Sequence, residues 1–336
     1  MATEINDGGS SRRFLVTGAQ GFIGAWIVKV LLEEGERPLI FDLDANSHRL
    51  RALLTAEQLE SVPLIRGDIS RLDEVERAVA DNRITHVVHM AALQVPFCAA
   101  NPPLGALVNV VGTVNVFEAA KRHRDHVRKV VYASSAAVYG PEEFYGAGRV
   151  PDDAPLQPTT LYGVYKQCNE GCARVYYAND GVSSGGVRPS TVYGAGRDQG
   201  MTSGPTKAIK ACVVGRPYTI AFTGKADMQY ARDTASIFIR AARSEVQGAR
   251  VYTPRGTLVS TDEILAILKR VFPETGDLIR AEGKPIPVAS DIDDSTLRRD
   301  FNDLPSTSLE EGIRETVEIF RRLQRENRLD THELST

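Results

Sequence analysis

The stretch FLVTGAQGFIG, residues 14–24, constrains this chain more than any other. Phe14-Leu15-Val16 is too short for a buried helix and is closed by glycine, so it reads as a buried parallel strand. Gly18, Gly21 and Gly24 follow in G-x-x-G-x-x-G spacing, and Phe22 to Glu33 reads as a helix. Gly18 permits the tight turn out of the strand. Gly21 lets backbone approach a diphosphate, and Gly24 lets the helix pack close to the strand. The helix N-terminus, with Phe22 and Ile23 in its first turn, offers free N–H groups and a positive dipole end to phosphates. Three glycines alone can be purely structural. Strand, turn and helix in this order are the context that a dinucleotide site requires.

The 336 residues suffice for one large domain and a smaller one. Charged residues make up 25% and hydrophobic residues 42%, ordinary for a globular chain. The net charge of −3, without a Lys/Arg cluster, gives no reason to expect nucleic acid. No apolar run reaches membrane-spanning length, since Trp26-Ile27-Val28 is broken by Lys29, and no membrane partner is expected. Residues 1–12 read as a flexible polar lead without an apolar signal segment, which makes the cytoplasm the default expectation. Four cysteines fit reduced thiols. Cys168 and Cys172 share a helix face, where core filling is preferred over a metal or redox pair, and no metal site is expected.

Strands alternating with helices specify a doubly wound α/β parallel sheet. Strands are expected at 37–42, 62–66, 84–90, 127–133 and, weakly, 182–188, with helices at 72–80, 107–120 and 162–177. Asp42 ends the second strand, eighteen residues after Gly24. A carboxylate there can accept from both ribose hydroxyls and repels a 2′-phosphate, which favours NAD over NADP. A helix cap or loop acid is the alternative, and nearby Arg49 keeps NADP as a minor option. Asp68, followed by Ile69, either accepts from an adenine amino group or caps the following helix. Ala91 and Ala92 let the chain pass close to a cofactor, whereas His89 reads as a satisfied core histidine. After Pro189 the alternation fails. Residues 13–188 are thus expected to form a Rossmann dinucleotide domain. Residues 189–328 form mainly a substrate region with segments returning to the sheet, and 329–336 a frayed tail.

Tyr162 and Lys166, at i and i+4, share a helix face. A phenol is a poor base at neutral pH, but a nearby ammonium favours the phenolate, and the pair can then move a proton at a carbinol or carbonyl oxygen. Lys166 can also bond the nicotinamide ribose. Ser134-Ser135 ends the fifth strand at the edge where open α/β sheets bind ligands. Asn109 lies in the preceding helix, where its amide holds either a kink, a relay water or a buried structural contact. Y-x-x-x-K alone is a weak signal; combined with the glycine turn, the acid and the serines it is specific.

TGAQGFIG, Asp42, Gly67-Asp68, HMAAL at 89–93, NVVGTVNVFEAA at 109–120, ASSAAVYG at 133–140, YGVYK at 162–166 and RPSTVYG at 188–194 occur in order. Together they resemble the extended short-chain dehydrogenase/reductase family, its NAD-dependent epimerase/dehydratase group, over nearly the whole chain. The resemblance implies Ser135 as the catalytic hydroxyl, Tyr162 as acid/base, Lys166 as its helper and Asn109 as a further member. It implies cofactor contacts along Gly18 to Gly24, Asp42, Asp68, Ile69, Ala91, Ala92, Pro189 and Val192. Substrate contacts are expected from Gln94, Ser135, Ala136, Tyr162, Ser203 and Lys207. A homodimer through helices 107–120 and 162–177 is implied as well.

Two departures bear on the substrate. Nucleotide-sugar members carry arginines where this chain has Ala226 and Ala281, although Arg232 and Arg280 lie nearby. A diphosphate needs two or more positive donors, so their absence points to a small non-nucleotide substrate. RDQGMTSGPTK, residues 197–207, suits a sugar, sugar acid or polyol, with Lys207 or Arg197 meeting a carboxylate; a surface loop is the alternative. Gln94, where many members have a basic residue, points to exchangeable cofactor. The leading reading is an NAD-dependent dehydrogenase or reductase acting on a secondary alcohol or ketone. A sugar or nucleotide-sugar epimerase that retains NAD is the second. A dehydratase would need an Asp-Glu pair where Ala136-Ala137 stand, and a cofactor-sensing scaffold would not need Ser135, Tyr162 and Lys166 together.

Overall fold

The computed structural model describes residues 12–275 and 277–334; most of the N-terminal lead lies outside them. Seven strands form one parallel sheet: β1 (Phe14–Thr17), β2 (Leu39–Asp42), β3 (Leu64–Arg66), β4 (His86–His89), β5 (Lys129–Ala133), β6 (Ser184–Val187) and, after excursions, β10 (Ala249–Tyr252). Their order is β10-β6-β5-β4-β1-β2-β3, so strand order reverses at β1, between β2 and β4. Helices cover both faces. One face buries Phe14, Val16 and Val131 under helices Phe22–Glu33 and Ala231–Arg243. The other buries Leu15, Val87 and Val130 under Leu72–Asp81, Gly112–Arg122 and Leu161–Asp180. Burial on both faces explains why the strands read as continuous apolar runs.

The substrate side is built from β7 (Thr191–Tyr193), β9 (Lys225–Tyr230) and β11 (Thr257–Ser260) in one small sheet, and β8 (Tyr218–Ile220) with β12 (Ile279–Ala281) in another. These short strands are absent from the expectation because three to six residues carry little periodicity. The thin strand Ser184–Val187 exists because Gly185 and Gly186 leave room for Val131 and the Tyr132 ring on its neighbour β5.

The tail departs from the expectation of fraying. Leu329 and Leu334 pack on the main core, and Lys210 donates to the Asp330 carbonyl (2.9 Å) and pairs with Glu333. Pro102–Arg122 is long and apolar enough to cross a membrane by composition alone. Half of its most apolar window is buried inside the fold, and it carries buried Asn109 and Asn115.

Candidate active site

The carboxyl ends of β1, β4, β5 and β6 open into a cleft of about 230 Å³. Gly18 makes the turn after β1 with φ +65°, and a Cβ there would lie 2.5 Å from the Ala91 backbone nitrogen. No side chain caps the helix that follows, and Gly21 occupies its N-cap. The first-turn N–H groups are therefore left for a ligand. Gln20 Oε1 beside this turn is buried without a partner among the described residues. An unfilled set of donors at a helix N-terminus, with backbone too close to admit a Cβ, fits a dinucleotide diphosphate. Gly18, Gly21, Phe22, Ile23, Gly24, Ala92, Pro189 and Val192 all line the cleft.

Asp42, Asp68, Ile69 and Ala91 lie beside the enclosed part of the cleft rather than in its lining. Asp42 Oδ2 accepts the Gln20 N–H at 2.9 Å, tying the end of β2 to the glycine turn. Burial raises its pKa, against the lowering pull of this and neighbouring backbone bonds. Arg49 is committed elsewhere: its guanidinium holds Asp198 (2.8 and 3.0 Å) and the Gln20 carbonyl (3.1 Å). Asp68 does not cap the next helix. Its Oδ1 accepts from the Ser70 N–H and hydroxyl (2.9 and 2.8 Å), a local turn, and Arg71 is the uncapped N-cap. Ile69 is buried against Gly112. The His89 ring lies between the Thr17 and Thr113 hydroxyls (2.7 and 3.1 Å), and burial pushes its pKa down to about 3.

Helix Leu161–Asp180 starts at Thr160, whose hydroxyl accepts from the Gly163 N–H at 3.1 Å. A Cβ on Gly163 would lie 2.2 Å from the Ala137 carbonyl oxygen. Glycine thus lets the first helical turn settle on the Ala136–Val138 turn, bringing Tyr162 and Ser135 into the same cleft lining. The two serines divide. Ser135 faces Tyr162 and accepts from the Ala137 N–H (3.1 Å), whereas the Ser134 hydroxyl donates to Glu170 at 2.6 Å.

Burial raises the Tyr162 pKa, opposed by Ser135 and by the Arg197 charge. Lys166 Nζ lies 5.5 Å from the Tyr162 ring centre and donates to the Ala133 carbonyl at 2.6 Å. Burial lowers its pKa to about 8.

Asn109 sits in a wide π-helical turn, Leu107–Val111, fully buried. Its amide is occupied on both sides by one residue, accepting from the Leu93 N–H (2.7 Å) and donating to the Leu93 carbonyl (2.9 Å). This gives it a structural hold on the loop after β4 in place of contact with the cleft. Gln94 and Ala136 line the cleft; Ser203 and Lys207 do not. The Ser203 hydroxyl turns back to the Gly200 carbonyl at 2.8 Å. Arg197, Met201 and Thr202 line the cleft from this loop, with Ile286 and Val288 opposite. The last two carried no sequence signal, since apolar residues in a late loop resemble core.

A network whose partners the sequence does not connect holds these parts together. Arg188, at the end of β6, grips Glu170 with two bonds (2.8 and 2.7 Å) and also reaches Tyr139 (2.5 Å) and the Asp152 carbonyl (3.0 Å). Glu170 is two turns beyond Tyr162 on the same helix.

The sequence profile of the NAD dependent epimerase/dehydratase family matches residues 14–253. The chain belongs to this family. It is similar to a UDP-glucose 4-epimerase of Mycolicibacterium smegmatis, 31% identical, with 92% of this chain and 98% of that one covered. A partial-consensus L-threonine 3-dehydrogenase superimposes with a TM-score of 0.81 at 25% identity, covering 92% and 99% of the two chains. The NAD complex of Thermus thermophilus UDP-glucose 4-epimerase superimposes at 0.76 with 28% identity, covering 92% and 99%. The chain is an NAD-dependent enzyme of the extended short-chain dehydrogenase/reductase type.

Proposed function

We propose that this enzyme is an NAD-dependent dehydrogenase acting on a secondary alcohol of a small, polar, non-nucleotide substrate. One observation carries the reading: among the described residues, Lys166 and Arg197 are the only basic side chains lining the cleft. Ala226 is buried in β9, Ala281 lies in the separate β8–β12 pair, and Arg232 faces outward to Glu33 (2.8 Å). A nucleotide diphosphate would have one guanidinium where two or more donors are needed. The likeness to a threonine dehydrogenase supports a small substrate on this fold.

Bound NAD supplies the hydride acceptor. Ser135 and Tyr162 would hold the substrate hydroxyl, and Tyr162, ionised to its phenolate in the loaded site, would take the hydroxyl proton as the carbon–hydrogen electron pair leaves with the hydride for NAD. Lys166, anchored on Ala133, fixes the far side of the Tyr162 ring. Tyr162→Phe should lower turnover about 10²–10⁴-fold with NAD affinity kept, as read by steady-state rates and calorimetric NAD titration. A turnover close to wild type would mean that another group accepts the proton.

An epimerase that recycles NAD in place is the second reading, supported by the near full-length similarity to a UDP-glucose 4-epimerase. The released-cofactor content of dialysed protein separates the two. Cofactor-free protein that reduces added NAD with a polyol, sugar or sugar acid supports the dehydrogenase; stoichiometric retained NAD with isomerisation of UDP-glucose supports the epimerase. Four free cysteines support a reducing compartment, the cytoplasm.

A further inference from the structure

We infer that Arg197 is the anchor for a carboxylate on the substrate, so that the alcohol oxidised in this cleft belongs to a hydroxy acid; this rests on the dehydrogenase reading above. Arg197 lines the cleft without a counter-charge. Its one side-chain hydrogen bond among the described residues runs to the Thr202 hydroxyl, at 3.0 Å. Its Nε is buried with no partner, and among the described residues no carboxylate stands within ion-pair distance of it. The neighbouring acid, Asp198, is already taken by Arg49 (2.8 Å) and His48 (3.2 Å). Phe22 supports the guanidinium with its ring centre 5.6 Å away.

A guanidinium withdrawn from water and left unpaired is costly, and a fork of N–H donors matches a carboxylate in two parallel bonds. The positive charge works against the burial that raises the Tyr162 pKa, while burial weakens the guanidinium's own hold on its proton. Arg197 shares the cleft lining with Ser135, Tyr162 and Lys166. The rest of the substrate-side lining, Met201, Ile286 and Val288, is apolar, and Thr202 adds a hydroxyl beside the guanidinium. Anionic oxygens could come from a substrate carboxylate or from the cofactor diphosphate, since Phe22 opens the phosphate-binding helix. The substrate-side neighbours Met201 and Thr202, in the same lining and with Thr202 bonded to the guanidinium, favour the carboxylate. Lys207, the other candidate for this contact, lies outside the lining.

The test compares aldonates, such as D-gluconate, with the matching alditol and aldonamide, using wild type, Arg197→Met and Arg197→Lys. The wild type should prefer the aldonate by about a hundredfold in kcat/KM over both neutral analogues. Arg197→Met should collapse that ratio toward one, largely through KM, while the Kd for NAD shifts by less than about threefold. Arg197→Lys should restore part of the preference, because charge returns without the fork. Equal rates on aldonate and aldonamide by the wild type overturn the inference without any variant having to fold. So does an Arg197→Met protein that keeps the preference but loses NAD affinity, which would assign the guanidinium to the diphosphate. The anchor and the reaction fail separately. Gluconate that binds the NAD-loaded protein through Arg197 but is never oxidised keeps the anchor and removes the dehydrogenase. Oxidation of alditols with no acid preference does the reverse.

Discussion

Lys166 shows what the site costs the fold. Its ammonium is 3% exposed and bonded to one carbonyl, with no acid beside it. Burial brings its pKa from 10.5 down to about 8. The unfolded chain keeps this proton until 10.5, so between pH 8 and 10.5 the unfolded state binds more protons and stability rises with pH. Below pH 8 the folded protein carries the full penalty of a buried charge. Lys166→Met should therefore make the cofactor-free protein more stable at about pH 7, by on the order of 2 kcal/mol, while turnover collapses. The difference should close above pH 10.5. Urea unfolding of both proteins across this range checks it, and a Met variant less stable than wild type at neutral pH would show that the Ala133 bond outweighs the desolvation. The same residue illustrates what spacing conveys. The i, i+4 rule correctly puts Tyr162 and Lys166 on one side of a helix, yet it does not say where the ammonium points. It donates to the Ala133 carbonyl while lying 5.5 Å from the Tyr162 ring centre.

At the scale of elements, the helix Leu161–Asp180 is fixed to the sheet by Glu170 and Arg188, respectively 1% and 6% exposed. Removing either partner leaves a charge in the interior, which costs about 3–5 kcal/mol, whereas removing both leaves no buried charge, only the Ser134 and Tyr139 hydroxyls and the Asp152 carbonyl deprived of a partner. Glu170→Gln and Arg188→Met should each destabilise by about that much, and the double variant Glu170→Met/Arg188→Met by clearly less than their sum. Additive losses in denaturant titrations would mean that the two groups act independently. The pair also bears on Ser134, so the singles should slow turnover through geometry at the end of β5. Arg188 opens the RPSTVYG landmark, but its pairing with Glu170 was not legible, because residues eighteen apart, on a helix and at a strand end, share no periodicity. The long elements were legible because strands buried on both faces and amphipathic helices repeat their pattern. The glycine turn was legible because φ and close contact leave few substitutes at Gly18. Ile286, Val288 and the β8–β12 pair were not, since their place depends on how distant segments pack. Asn109 was only half legible: its burial was foreseeable, but the loop it holds at Leu93 was not.

At the scale of the whole molecule, one apolar surface has no partner among the described residues. Leu161, Val164 and Val175 recur along helix Leu161–Asp180 at spacings that keep them on one side, and they are 45–57% exposed. Leu104, Leu107 and Val111 make a matching stripe on the adjoining Pro102–Arg122 helix, 41–44% exposed. Two adjacent helices with outward apolar stripes can form half of a four-helix bundle, and a second copy related by a two-fold axis would supply the other half. This supports the homodimer that we propose for the 36.7 kDa chain. A charge at the centre of such a stripe is desolvated on pairing and meets its own symmetry mate, so the disruption is doubled. Val164→Arg and Leu107→Arg should each shift the protein from dimer to monomer in sedimentation equilibrium. The unfolding transition of the isolated chain should be little changed, because both positions are already exposed in the monomer. The cleft lies wholly within one chain, so a monomeric variant should still bind NAD. A wild type that sediments at one chain mass at micromolar concentration would overturn the pairing and leave the stripes to another protein.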